Sequence, residues 1–163
     1  MKRVYIELAE RIRGEITDLN DVVDKIGRMW SQVKRFPEDA DPYLDSVALN
    51  LHSFYSGLER VFELVVRQID QDLPSGAAWH HELLAKISAP KRYMRPSLVS
   101  SENALQLDAY RRFRHLVRNI YTTRLQSEKM SELVEGLPGF WAGLQAELAA
   151  FADFLDTVAE SLN

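Results

Sequence analysis

Between residues 3 and 35 apolar side chains return every three or four positions, at Ile12, Ile16, Leu19, Val23, Ile26, Trp30 and Val33. That interval is the period of a helix with one buried face, and it predicts a long amphipathic helix. Phe36-Pro37-Glu38-Asp39-Ala40-Asp41-Pro42 interrupts the pattern. Asp41 suits a helix cap, with Pro42 at the first helical position, where its missing N–H costs nothing. Leu44, Val47, Leu51, Phe54, Leu58, Val61, Val65 and Ile69 then resume the same interval. Two antiparallel helices joined by a short loop follow from these two stripes.

Asp72-Leu73-Pro74-Ser75-Gly76 is a second break, and Trp79 to Ile87 has room only for a short helix. Ser88 to Ser101, with Pro90 and Pro96, reads as a loop, long for a compact domain and of a kind that often carries function. Ser101 or a neighbour is expected to cap a central helix running to about Arg124, with Leu105 and Leu107 on its apolar side. From Ser127 a further helical stretch meets Gly136-Leu137-Pro138-Gly139, where a break or kink is expected. Phe140, Trp141, Leu144, Leu148, Phe151, Leu155, Val158 and Leu162 mark a last long helix. No strand pattern or internal repeat stands out. The expected fold is all-α, an up-and-down four-helix bundle with an additional short helix, in a single domain over residues 1–163.

With no cysteine, the chain can have no disulfide, thiolate metal site or cysteine nucleophile. Acidic residues arrive early, at Glu7 and Glu10, before a signal peptide's apolar core could form, and no run approaches a membrane span of roughly 18 apolar residues. A cytoplasmic protein is the expectation. There is no glycine-rich phosphate loop and no carboxylate triad at metal spacing, so neither a nucleotide-transferring activity nor a cofactor is expected. His80-His81-Glu82 invites a metal reading, but adjacent histidines point about 100° apart on a helix and no second histidine follows at four-residue spacing. They read as structural or surface residues, as does His52.

Charge is distributed unevenly. Residues 86–124 hold nine Lys or Arg against Glu102 and Asp108, a local +7 in a chain whose net charge is −4. Its centre is Tyr110-Arg111-Arg112-Phe113-Arg114-His115-Leu116-Val117-Arg118-Asn119-Ile120-Tyr121, without an acidic residue. On a helical wheel Ala109, Tyr110, Phe113, Leu116, Val117 and Ile120 gather on one side, and Arg111, Arg112, Arg114, His115, Arg118 and Asn119 on the other. A basic outer face with no carboxylate nearby would be ready for a phosphate-bearing ligand. Lys91, Arg92 and Arg95 on the preceding loop would extend it along an RNA backbone, or would simply be a solvated basic loop.

Arg114, four residues, Asn119, one residue, Tyr121 resembles the Arg-x4-His-x-Tyr signature of HepT-type HEPN proteins, with Asn119 where the histidine is expected. Trp79-His80-His81-Glu82-Leu83-Leu84, Arg95-Pro96 and Tyr55-Ser56-Gly57-Leu58-Glu59-Arg60 are also similar to HepT-like sequences. The resemblance implies a helical bundle, and a homodimer whose signature helices face one another across a cleft. It implies a toxin of a bacterial toxin–antitoxin pair, a metal-independent ribonuclease acting on cellular RNA such as tRNA. Its antitoxin would be a minimal nucleotidyltransferase that attaches AMP to the signature tyrosine, here Tyr121.

In that role Arg114 would clamp the transition state, with its fork of donors matched to phosphate oxygens, and Arg111 and Arg118 would hold phosphates beside it. Asn119 positions a phosphate or water but cannot carry a proton. His115, about 40° away on the wheel, has the near-neutral imidazole that proton transfer wants. Three explanations of Asn119 stand: a natural variant that uses His115, an engineered inactivation, or a domain that only binds RNA, nucleotide or a partner protein. Glu59 has two readings, as a mid-helix carboxylate that orients a signature arginine, or as part of a surface face with Arg60 and Glu63.

Overall fold

The computed structural model describes residues 1–119 and 127–162, the side chains of Arg118 and Asn119 excepted. Five α-helices run in chain order among the described residues: α1 (Lys2–Arg35), α2 (Asp41–Val65), α3 (Trp79–Ile87), α4 (Ser101–Asn119) and α5 (Ser127–Ser161). They form an all-α bundle, as the apolar spacing predicts. The stripe of α1 is buried at Ile12, Ile16, Leu19, Ile26 and Trp30, and it packs against both α2 and α5. α2 in turn carries α4, and the short α3 lies against α4 and the end of α2.

Gly57 of α2 faces α1 closely enough that a Cβ there would lie 2.4 Å from Glu15 Oε1 and 3.0 Å from Leu19 Cδ2. An aromatic cluster joins the remaining helices. Phe54 meets Tyr110 and Trp141 edge-on, with ring centroids 5.5 and 5.6 Å away, and Tyr110 stacks on Phe140 at 5.2 Å. The Tyr110 hydroxyl donates to the Leu133 carbonyl at 2.9 Å, and Trp141 Nε1 donates to Asn20 Oδ1 at 2.7 Å. The polar edges of these rings therefore reach partners while their faces fill the core, and the α4 face bearing Tyr110 and Phe113 is fixed against α2 and α5.

Local expectations are corrected at several points. Asp41 is not the cap of α2: Ala40 precedes the helix, and Asp41 is its first residue, a carboxylate at the positive end of the helix dipole. Pro138 does not end a helix. α5 runs through it as one element, with Val134, Leu137, Phe140 and Trp141 buried on both sides, so packing outweighs one missing N–H. Leu105, placed by period on the apolar side of α4, is 76% exposed, while Leu107 is buried. The cap of α4 agrees with expectation and falls on the neighbour of Ser101: Ser100 Oγ accepts from the Asn103 N–H at 3.1 Å.

After α2 the chain widens into a π-turn over Val66–Asp70 and leaves it through Gln71, whose φ is +53°. The loop between α3 and α4 returns to the core rather than standing off it. Leu98 and Val99 are buried, and the Leu98 N–H donates to the Ile87 carbonyl at 2.8 Å.

Candidate functional site

Tyr55, Glu59 and Phe62 lie at four- and three-residue spacing on α2 and all face inward. Glu59 is only 4% exposed, so its charge requires a partner inside the bundle. Arg114 of α4 supplies it: Nη1 donates to Glu59 Oε1 at 2.6 Å. The other carboxylate oxygen, Oε2, lies 2.7 Å from Nδ1 of His80, the second residue of α3. Three helices thus contribute one side chain each to a single cluster. Arg114 is 8% exposed, with its guanidinium 5.6 Å from the Tyr55 ring centroid. The Tyr55 hydroxyl is pushed far above its ordinary pKa, first by burial and then by the Glu59 charge, so it stays protonated.

At 2.7 Å the His80 contact is a charge-assisted bond in which Nδ1–H donates to the carboxylate. Arg114 Nη2 is also near Nδ1, but at 3.4 Å, and Ser56 Oγ is 3.5 Å from Nη1. The Trp79 ring lies against the imidazole, centroid to centroid 3.6 Å and 30° from parallel, and helps fix its plane.

His80 also lines an open pocket of about 530 Å³ at the start of α3, whose other walls are residues 76–79, His81, Arg111 and His115. Its lining joins three imidazoles and a guanidinium to the N-terminal end of α3, a setting suited to an anion. Arg111 is shared with Asp108, its Nε donating to Oδ1 at 2.8 Å.

The expectation of an unneutralised basic face is therefore corrected. Arg114 does not point into solvent; it is buried against α2, engaged by Glu59 and beside the Tyr55 ring. Asp108, one turn before Arg111 and Arg112, meets both of them, at 2.8 and 3.2 Å. Arg95 is also corrected as a residue tracking RNA. It is buried in a two-point pair with Asp70, Nε to Oδ1 and Nη2 to Oδ2 both at 2.7 Å, and its remaining donors reach the carbonyls of Lys86, Ala89 and Pro96. Lys91 lies 3.8 Å from Asp72, and the Arg92 guanidinium covers the Tyr93 ring at 4.8 Å. Neither belongs to the pocket lining.

His115 is exposed and does line the pocket, beside Arg111. Arg118 and Asn119 are the last residues of α4, described through their backbone alone, and Tyr121 lies outside the described residues. Among the described residues no group of three His, Asp or Glu side chains is arranged to hold a metal ion. Of the two readings of Glu59, the orienting one matches its position. The sequence places His80 in a HepT-like stretch but assigns it no role, because the histidine pair is weighed chemically only for metal spacing. The available signal was Glu59 itself, a carboxylate standing in the buried register of α2 and so in need of polar partners.

An all-helical bundle that joins its second, third and fourth helices through a buried Glu–Arg–His cluster beside a basic pocket defines the class of molecule. The sequence pattern described as HepT-like protein matches residues 46–155, and the chain belongs to that HEPN-type family. The match covers α3, α4 and most of α2 and α5, the elements that build the cluster and pocket. No match is found among curated proteins or among solved structures. No helix among the described residues is long and apolar enough to cross a membrane.

Proposed function

We propose that this protein is the ribonuclease toxin of a bacterial toxin–antitoxin pair, and that the pocket beside the Glu59–Arg114–His80 cluster receives an RNA phosphate. The observation that carries the proposal is the pocket itself, where His80, His81, His115 and Arg111 converge on one open volume next to the signature helix. Arg111 and His115 are the phosphate-facing groups of the pocket, and Arg118, further along the same sequence, is assigned to phosphate binding by the signature alone. Arg114 acts beneath them as the cation that keeps Glu59 in place. Metal-independent cleavage needs a base for the 2′-hydroxyl and positive charge near the crowded phosphorus, and the pocket holds both kinds of group. Asn119 orients a phosphate or water from the end of the same helix.

The partner in this reading is a minimal nucleotidyltransferase that transfers AMP from ATP to Tyr121, a modification that would block RNA. The chain works as a cytoplasmic homodimer with two signature helices lining one cleft, and tRNA is a suitable cellular target. A second reading, a domain that binds RNA without cutting it, is favoured by one specific feature, the asparagine at position 119.

Labelled tRNA incubated with the protein in a chelator tests the first reading. Cleavage is expected, ending in a 2′,3′-cyclic phosphate, and Arg114→Ala at equal folded concentration is expected to lower it by on the order of 10²-fold. Binding without cleavage would replace this reading with the second. With a minimal nucleotidyltransferase partner and ATP, intact mass is expected to rise by one or more AMP units, and Tyr121→Phe to abolish the gain.

A further inference from the structure

We propose that His80, held by Glu59, is the proton acceptor of this site, taking the task that Asn119 cannot perform. The inference rests on the RNA-cleavage reading and assigns a residue outside the signature. Glu59 is buried, and its Oε1 is held by Arg114, so Oε2 is fixed in position. That oxygen takes Nδ1–H of His80 at 2.7 Å, which sets the tautomer and leaves the lone pair on Nε2. Nε2 makes no hydrogen bond among the described residues, and His80 lines the pocket with 26% of its side chain exposed. A base within reach of a substrate, its other ring nitrogen bonded to a buried carboxylate, is the arrangement that general-base catalysis requires. His115 shares the pocket but is exposed on α4. His80 has a buried carboxylate behind it, whereas His81 meets Asp108 in a looser 3.9 Å contact with 68% of the His81 side chain exposed.

In the step, Nε2 removes the proton from a ribose 2′-hydroxyl as the 2′-oxygen forms its bond to phosphorus. The bond from phosphorus to the 5′-oxygen breaks with its electron pair, and that oxygen takes a proton from water. The products are a 2′,3′-cyclic phosphate and a 5′-hydroxyl end, and the imidazolium returns its proton to solvent. Glu59 is a positioning residue, since it acts through the ring and not on the substrate.

His80→Asn is the decisive variant. The Asn amide nitrogen falls where Nδ1 stood, so the bond to Glu59 is kept while the proton acceptor is removed, together with the ring that stacks on Trp79. With the full chain and labelled tRNA in chelator, the variant is expected to lose about 10²- to 10⁴-fold in cleavage rate while its RNA dissociation constant changes by less than about threefold. His80→Gly is expected to recover part of its rate when imidazole is added, a response that a purely structural role would not give. If the wild type and Asn variant cut within about tenfold of one another while Arg114→Ala is impaired, the assignment of His80 falls and the nuclease reading stands. A rate loss matched by an equal loss of RNA affinity would also overturn it. If the wild type cuts no RNA, both fall together.

Discussion

Two buried arginine–carboxylate pairs hold this molecule together, and they differ in what is left over. Arg95 and Asp70 meet at two points, with side chains 1% and 2% exposed, and three backbone carbonyls take the remaining donors of the guanidinium. That pair is closed. Arg114 and Glu59 make one short bond at 2.6 Å, the second carboxylate oxygen goes to His80, and the other described contacts of the guanidinium are 3.4 Å or longer. That pair opens, through one imidazole, onto a pocket. Identical charges thus serve two ends. A saturated pair can only fix the loop between α3 and α4 to the end of α2, whereas an unsaturated one has a hydrogen-bonding side chain to offer a ligand.

The comparison predicts an order of stabilities. Arg95→Ala should have the largest effect, because it strands a fully buried Asp70 and three carbonyls with no route to water. A loss of about 3–5 kcal/mol in urea unfolding is expected. Substituting both partners, Asp70→Leu with Arg95→Met, should recover much of it, since two apolar side chains leave no orphan charge. A loss below about 1 kcal/mol for the single variant would mean that the pair is not closed in solution.

Arg114→Ala should cost less, about 1–3 kcal/mol, because Glu59 retains His80 and lies near a pocket that admits water. Its larger consequence is the loss of cleavage. Equal stability losses from the two arginine variants, measured side by side, would erase the distinction between an open and a closed pair.

The helical period made the four long helices and the short one legible, because a buried face writes its spacing into the chain. It also placed Tyr110 and Phe113 correctly. The same period misplaced Arg114, since a wheel shows which side of one helix is apolar and not what packs along its flank. Arg114 and Glu59 are 55 residues apart, and the cavity that neutralises the arginine exists only after α2 and α4 dock. Arg95 was misread for the same reason. Its partner lies 25 residues back, in a π-turn that no spacing rule announces. Leu105 errs in the other direction: it lines an open groove between α3 and α4 with Leu84 and Ala85, and period alone cannot say how closely a neighbouring helix covers an apolar position. The HepT-like likeness was legible through short motifs, two of which contain Glu59 and His80, yet no spacing announced that these two side chains, 21 residues apart, meet.

A third ion pair marks the weak end of the scale. Lys86 bonds Asp72 just outside the closed pair, on the same helix whose Lys86 carbonyl accepts from Arg95. Asp72 is exposed, and Lys86, followed by the more distant Lys91, holds its carboxyl below the ordinary carboxylate range. A depressed folded-state pKa stabilises the fold above the unfolded value of about 4 and gives that stability up as pH falls through the folded value. Wild type and Asp72→Asn should therefore unfold alike in strong acid, where the carboxyl is protonated in both states, and separate slightly above about pH 4 with the wild type the more stable. The gap should be the smallest of the three and should shrink in added salt, because solvent and ions screen an exposed pair. The difference between wild type and Arg95→Ala should be nearly insensitive to the same salt. If both gaps shrank together, burial would not be what separates the closed pair from the exposed one.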